Sequence, residues 1–321
     1  MQDVRILVHT KGSLGDPHVA KAATRAVKTA RIAGFKAVEA IESITEAKRR
    51  LKLPATDPQK VDVVVSAYNT QRLLAVASDL DPLLLRDPET GKIEPLPVPL
   101  TAILPSMNER YPFVLSDAGA QLNPKPYQVY VSALLAGNLY KVVMGKQNPY
   151  HRFGLLSIGE EWVKLPPRLQ AVGELLQAKE KRVVKPAEPK DVYKGDFVEV
   201  LVPMDGREGN LFLKTSEGVS EAVAKVTKSE YRHGPTSALL GLLSTPVHNR
   251  VRRRFHHDET HGAYFLGTKH FLVKHHGRSN ADALYLAIER AARHARNNVI
   301  GQVWALTLQE LEQLHPELLP T

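Results

Sequence analysis

The stretch FVEVLVPMDGREGNLFLKTSEG, Phe197–Gly218, decides the fold class. An apolar β-branched run stops at Asp205-Gly206, passes Gly209-Asn210, and resumes with the composition of a helix carrying Lys214 and Thr215. That order predicts a strand, a tight loop and a helix start, with backbone amides and a lysine converging where an anion can sit.

Outward from this stretch, short β-branched runs alternate with helical patterns. Val4–Val8, Val61–Ser66, Phe153–Ile158 and His270–Lys274 read as strands, and Ala20–Ala33, Arg72–Leu80 and Tyr127–Met144 as helices. Asp81–Pro99 reads as a connection with a turn at Asp87–Gly91. After His276–Asn280, the spacing of Leu284, Ala287, Ile288 and Ala291 predicts a helix with one buried face. The alternation predicts an α/β fold with three layers, helices covering both faces of an open sheet.

Five strands end in small, polar or charged residues: Ser66–Thr70, Asp117–Gly119, Gly159–Glu161, Asp205–Asn210 and His276–Asn280. If those strands are parallel, their ends share one sheet edge, where ligands bind in such folds. Helix starts there add unpaired N–H groups and partial positive charge. The five together point to a phosphate or oxyanion site.

Composition narrows the function. With 321 residues the chain can bury a large core, and with no cysteine it has no disulfide, thiolate metal site or cysteine nucleophile. The formal net charge of +9 favours anionic partners. No signal-like segment opens the chain and no apolar run approaches the roughly 20 residues of a membrane span, so a cytoplasmic protein is expected. Nucleic acid is not an expected partner, because arginines cluster without a recognisable motif and aromatics make up only 6%. His257 and His261 are four apart, but Glu259 is misplaced for a zinc helix and Gly262 follows, so no metal is expected. No GxGxxG follows the first strand, which argues against a nicotinamide site, and no cofactor is expected.

Several segments resemble the signature segments of PlsX-type phosphate acyltransferases. They are SAYNT at 66–70, SDAGAQLNPKP at 116–126, GLLSIGEE at 154–161, Asp205-Gly206 with GNLFLKTSEG at 209–218, and HGRSNA at 276–281. The resemblance implies an isocitrate/isopropylmalate dehydrogenase-like fold over residues 1–321 as a single domain, with a protruding helical hairpin at 219–261. It also implies a homodimer, and a reaction in which acyl-acyl carrier protein and inorganic phosphate give acyl phosphate for phospholipid synthesis. Phosphate is already a nucleophile and needs positioning and charge balance. Lys214, Lys125 and Lys164 are the candidates for that work, with Asn210 and the Gly209 amide as hydrogen-bond donors. His276 or the amides of Gly277–Asn280 would hold the thioester oxyanion, and Asp205 would orient a lysine or handle the phosphate proton. Asn69, Asp117, Gly119, Gly159, Glu160, Gly277, Ser279 and Asn280 complete the implied substrate site.

The match also has departures. Gap-free, the two aspartates of the family's first loop become His9 and Leu14, and a glycine of its second becomes Tyr68. A non-catalytic relative that binds carrier protein or membrane is therefore the alternative expectation. The hairpin carries Leu239, Leu240, Leu242 and Leu243, followed by Arg250 and Arg252–Arg254. Leucines beside arginines suit peripheral docking on an anionic membrane surface.

Overall fold

The computed structural model describes residues 4–10, 17–33, 35, 37–108, 112–145, 151–178, 182–195, 197–255, 262–275 and 281–320. The chain begins β1 (Ile6–His9), α1 (Pro17–Ile32), β2 (Val38–Ile41), α2 (Ile44–Lys52), β3 (Val63–Ser66) and α3 (Thr70–Ser78). A small hairpin, β4 (Leu84–Arg86) and β5 (Ile93–Pro95), precedes β6 (Leu100–Leu104), β7 (Phe113–Ser116) and α4 (Pro126–Met144). Then come β8 (Arg152–Leu156), α5 (Pro167–Gln177), β9 (Val183–Ala187), α6 (Pro189–Val192) and β10 (Val200–Val202). The last third holds α7 (Gly206–Glu230), α8 (Pro235–Leu243), α9 (Thr245–Phe255), β11 (Ala263–Phe265), β12 (Phe271–Lys274), α10 (Ala281–Arg296) and α11 (Val299–Leu314).

Strand alternation builds the expected three layers. Ile6, Val8, Val63, Val65, Val200 and Val202 face a core shared with α1, α4, α5, α10 and α11. Leu7, Val64, Leu201 and Leu272 point the other way, into a core shared with α2, α3, α6 and Phe212 of α7. Helix α4 is apolar all round, and every residue from Tyr127 to Tyr140 is buried. It starts at a proline in the first turn, where no N–H is needed, and stops at Gly145 in the left-handed conformation.

One ten-stranded sheet runs in the order β2-β1-β3-β12-β11-β6-β7-β10-β8-β9. β1 is parallel to β2 and β3, and β12 to β3. The direction then reverses at β12–β11, at β11–β6 and at β6–β7. Beyond β7, the pairs β7–β10, β10–β8 and β8–β9 are again parallel. The sheet therefore holds two parallel four-stranded blocks of opposite sense, β2-β1-β3-β12 and β7-β10-β8-β9, separated by β11 and β6. This corrects one expectation: the ends of β3 and β12 lie on one sheet edge, and those of β7, β8 and β10 on the other. The segment read as a plain connection contains the β4–β5 hairpin, whose turn is held by Asp87 accepting from the Glu89 amide and Thr90 hydroxyl.

Under the sheet, His151 is buried with its ring edge-on to Phe153, and a Cβ at Gly137 would stand 2.9 Å from His151 Cδ2. Burial pulls the imidazole down to about 4. The unfolded chain, titrating near 6.5, therefore takes up the proton first, and stability falls as pH drops from about 6.5 to about 4. The expected loss is roughly 3 kcal/mol. Chemical denaturation of His151→Phe across this window should give a flatter stability–pH curve than wild type; parallel curves would refute the assignment.

Candidate functional site

At the edge where β7 and β10 end, the Asp117 carboxylate accepts hydrogen bonds from the amides of Leu100, Gly119, Ala120 and Gln121. Burial pushes this acid up to about 6, with the four donors pulling against it. Asp117 therefore shapes the loop from inside it. Gly206 N–H donates to the Gln121 carbonyl at 2.7 Å, which seats the start of α7 on that loop. The seat requires glycine: a Cβ at Gly209 would fall 1.8 Å from the Asp117 carbonyl oxygen, and one at Gly206 2.7 Å from Asp117 Oδ2. Gly119, at φ +133°, packs on the Asn210 side chain.

Asp205 is the N-cap of α7, accepting from the amides of Arg207 and Glu208. Burial raises this carboxyl, but the Arg207 guanidinium at 2.8 Å and those amides outweigh it and hold the group below its usual range. Its cationic partner is thus Arg207 rather than a lysine. Glu208 closes the cap by accepting from the Met204 amide.

From this seat α7 crosses the sheet towards the opposite edge. Phe212 packs near Phe113 at the start of β7, and Lys214 lies within electrostatic reach of Lys274, whose ammonium is lowered first by burial and then by Lys214. Asn210, Lys214 and Glu217 recur at i, i+4 and i+7 and so share one flank of the helix. Lys214 Nζ lies 2.6 Å from Glu217 Oε2.

The edge that Lys214 reaches carries a row of register-paired residues: His9 pairs with Ser66, and Ser66 with Lys274. Register partners point to the same face, and these follow Leu7, Val64 and Leu272 by two residues, so they face the α7 layer. His9 Nε2 lies 3.2 Å from the Glu42 carbonyl, which can only accept, so this nitrogen carries a proton. In the neutral ring Nδ1 then accepts from Ser66 Oγ at 3.1 Å. Tyr68 stands edge-on to His9 at 5.0 Å, with the Arg72 guanidinium over its ring. Asn69 caps α3 through the Gln71 amide.

The remaining site residues named from the sequence are spread more widely. Lys125 is taken up by Asp87 and Glu94 of the small hairpin. Its bond to Asp87 raises the ammonium and lowers the carboxyl. Gly159, Glu160 and Lys164 lie beyond β8, where Lys164 is exposed and its stem packs against Gly159. Glu160, Glu188 and Asp191 approach one another there, with Glu188 paired to Lys190 and Asp191 to Lys194. His276, Gly277, Ser279 and Asn280 lie outside the described residues, as does most of the first loop, 11–16.

Sequence reasoning missed two features. One is Lys274, the charged end of an otherwise apolar strand, FLVK. The other is an apolar groove of about 710 Å³ on a second flank of α7, lined by Leu156, Ile158, Tyr193, Leu211, Phe212 and Val219.

Comparison with known proteins finds relatives named for acyl transfer. A family model described as fatty acid synthesis protein matches residues 2–302. A phosphate acyltransferase of Clostridium acetobutylicum is 33% identical over 257 residues, covering 80% of this chain and 72% of the relative. Among solved structures, a phosphotransacetylase from Streptococcus pyogenes superposes with a TM-score of 0.51 at 11% identity, covering 92% of this chain and 95% of the other. A branched-chain phosphotransacylase from Enterococcus faecalis gives 0.51 at 14%, covering 91% and 99%.

The Asp117 knot carries its own test. Asp117→Asn keeps the shape but sets an NH2 group against backbone amides that need an acceptor. A loss of roughly 1–3 kcal/mol in urea denaturation is expected, and Asp205→Ala should lose about 1 kcal/mol with its cap. An Asp117→Asn variant as stable as wild type would show that the four bonds do not hold the loop.

Proposed function

The chain belongs to the fatty acid synthesis protein family, and on that premise we propose that it transfers an acyl group from acyl-acyl carrier protein to inorganic phosphate. The products are acyl phosphate, a feedstock for phospholipid synthesis, and free carrier protein. The observation that carries this reading is the row His9–Ser66–Lys274 at the ends of three parallel strands, on the sheet face that α7 covers. It gathers positive charge at the C-terminal end of parallel strands, where an anionic nucleophile is best held. The phosphate oxygen attacks the thioester carbonyl, the carbon–sulfur bond breaks, and the proton of hydrogen phosphate leaves with the carrier thiol. Positioning and charge balance are the protein's share, and Asn210 and Lys214 on one helix flank supply them.

Two further parts of the proposal rest on exposed apolar surface. Leu239, Leu240, Leu242 and Leu243 of α8 are all more than half exposed at the far end of the arm formed by α7, α8 and α9. Among the described residues no helix is long and apolar enough to cross a membrane. The leucines therefore suit shallow insertion into an anionic bilayer surface. Along α7, Leu211, Val219, Val223 and Val226 form an exposed stripe continuous with the apolar groove, which suits a second copy of the chain in a homodimer. The alternative, a non-catalytic relative that binds carrier protein or membrane, is favoured by Tyr68, whose ring fills space beside His9.

Acyl-phosphate formation from acyl-acyl carrier protein should depend on added phosphate. It should fall about 10²-fold in Lys214→Ala and in Asn210→Ala. Carrier binding without turnover in the wild type would favour the alternative. Separately, Leu240→Glu with Leu243→Glu should abolish co-sedimentation with anionic vesicles; unchanged pelleting would remove the membrane role.

A further inference from the structure

Lys274 ends β12, half-buried, in a row whose other members at this edge, His9 and Ser66, carry no negative charge. Among the described residues the Lys274 ammonium makes no hydrogen bond or close ion pair, although its backbone is paired in the sheet. The charged groups that α7 turns towards it are Lys214 and Glu217. Glu217 offsets part of that charge but lies 2.6 Å from Lys214 Nζ, so among these groups one carboxylate faces two cations. Burial comes first, and Lys214 second, in drawing its ammonium below the usual lysine range. A half-buried cation beside another cation is costly unless something neutralises it. Lysines elsewhere are placed differently: Lys48, Lys125, Lys190 and Lys194 each reach a carboxylate within 2.7 Å.

We propose that Lys274 is a substrate-binding residue of this chain. With Lys214 it forms a two-lysine clamp for an inorganic phosphate or the phosphoryl end of an acyl phosphate, and the row beneath fixes its position. The proposal rests on the acyl-transfer reading for the location of the site. Ser66 anchors the base of the clamp: its carbonyl accepts from the His275 amide at 2.7 Å and its hydroxyl from the Tyr68 amide. Through Ser66 the ends of β1, β3 and β12 are held as one unit, and His9 is the positioning residue that orients the Ser66 hydroxyl.

An anion-holding lysine differs from a structural one in a measurable way. Removing an unpaired, half-buried charge relieves repulsion in the unliganded protein and weakens only the liganded one. The test is a thermal-unfolding titration of the full chain with inorganic phosphate, against chloride at matched ionic strength. Wild type should be stabilised by phosphate as mass action requires. Lys274→Met should unfold at the wild-type temperature or above it without phosphate, with an apparent phosphate Kd at least tenfold weaker. Lys274→Arg, which keeps the charge, should recover much of the response.

Three results of the titration would overturn the proposal: a phosphate response unchanged in Lys274→Met, a destabilised unliganded Lys274→Met, or a wild type indifferent to phosphate. The acyl-transfer reading stands or falls separately. A wild type that binds phosphate through Lys274 yet makes no acyl phosphate would remove that reading alone. Turnover and phosphate KM unaltered in Lys274→Met would remove only the clamp.

Discussion

Four backbone amides converging on the Asp117 carboxylate are the interaction on which the site's geometry depends. They tie the start of β6 to the loop after β7, and that loop is the surface on which α7 is seated. The two glycines of α7 that meet the loop leave no room for a side chain. The helix can therefore leave β10 in one place and one direction. Everything that the helix carries across the sheet, from Asn210 to the arm, inherits its position from this knot. A buried carboxylate costs desolvation, and here the cost is offset by donors that would otherwise be orphaned at a loop and a strand start.

The two-sense sheet explains why one helix can serve both edges. In a sheet of a single sense, strand ends gather on one side and each following helix runs back from it. Here β7, β8 and β10 end opposite β3 and β12, so a helix leaving β10 runs towards the ends of the other block. Lys214 comes within electrostatic reach of Lys274 for that reason, although α7 leaves a strand that runs opposite to β12. The strand ends that the sequence grouped together thus fall on two edges, with α7 running from one towards the other.

Much of this was legible in the sequence. The strand–loop–helix at 197–218 appears as β10, its Asp205 cap and α7, and strand alternation gives the two cores. Strand direction was not legible, because side chains alternate with period two whichever way a strand runs. The partners of Lys125 were equally hidden: Asp87 and Glu94 lie 38 and 31 residues away, in a hairpin that reads as a proline-rich connection. Lys274 escaped notice because a terminal lysine on an apolar strand looks like an ordinary solvated end. Only the register with Ser66 and the approach of Lys214 mark it out. The family relation, by contrast, was readable because its motifs are short, contiguous and correctly ordered.

Helix α7 has a mechanical consequence. Its 25 residues form one uninterrupted rod from the knot to the arm, about 37 Å long at 1.5 Å per residue. Taken as a lever pivoting at Gly209, it places Lys214 about 7 Å from the fulcrum and Glu230 about 31 Å. A tilt that shifts the arm's root by some 4 Å moves Lys214 by about 1 Å, the scale on which a bound anion's contacts are made or lost. The rod has the proportions of a reducing gear, in which a coarse displacement at the distant end corresponds to a fine one beside β12.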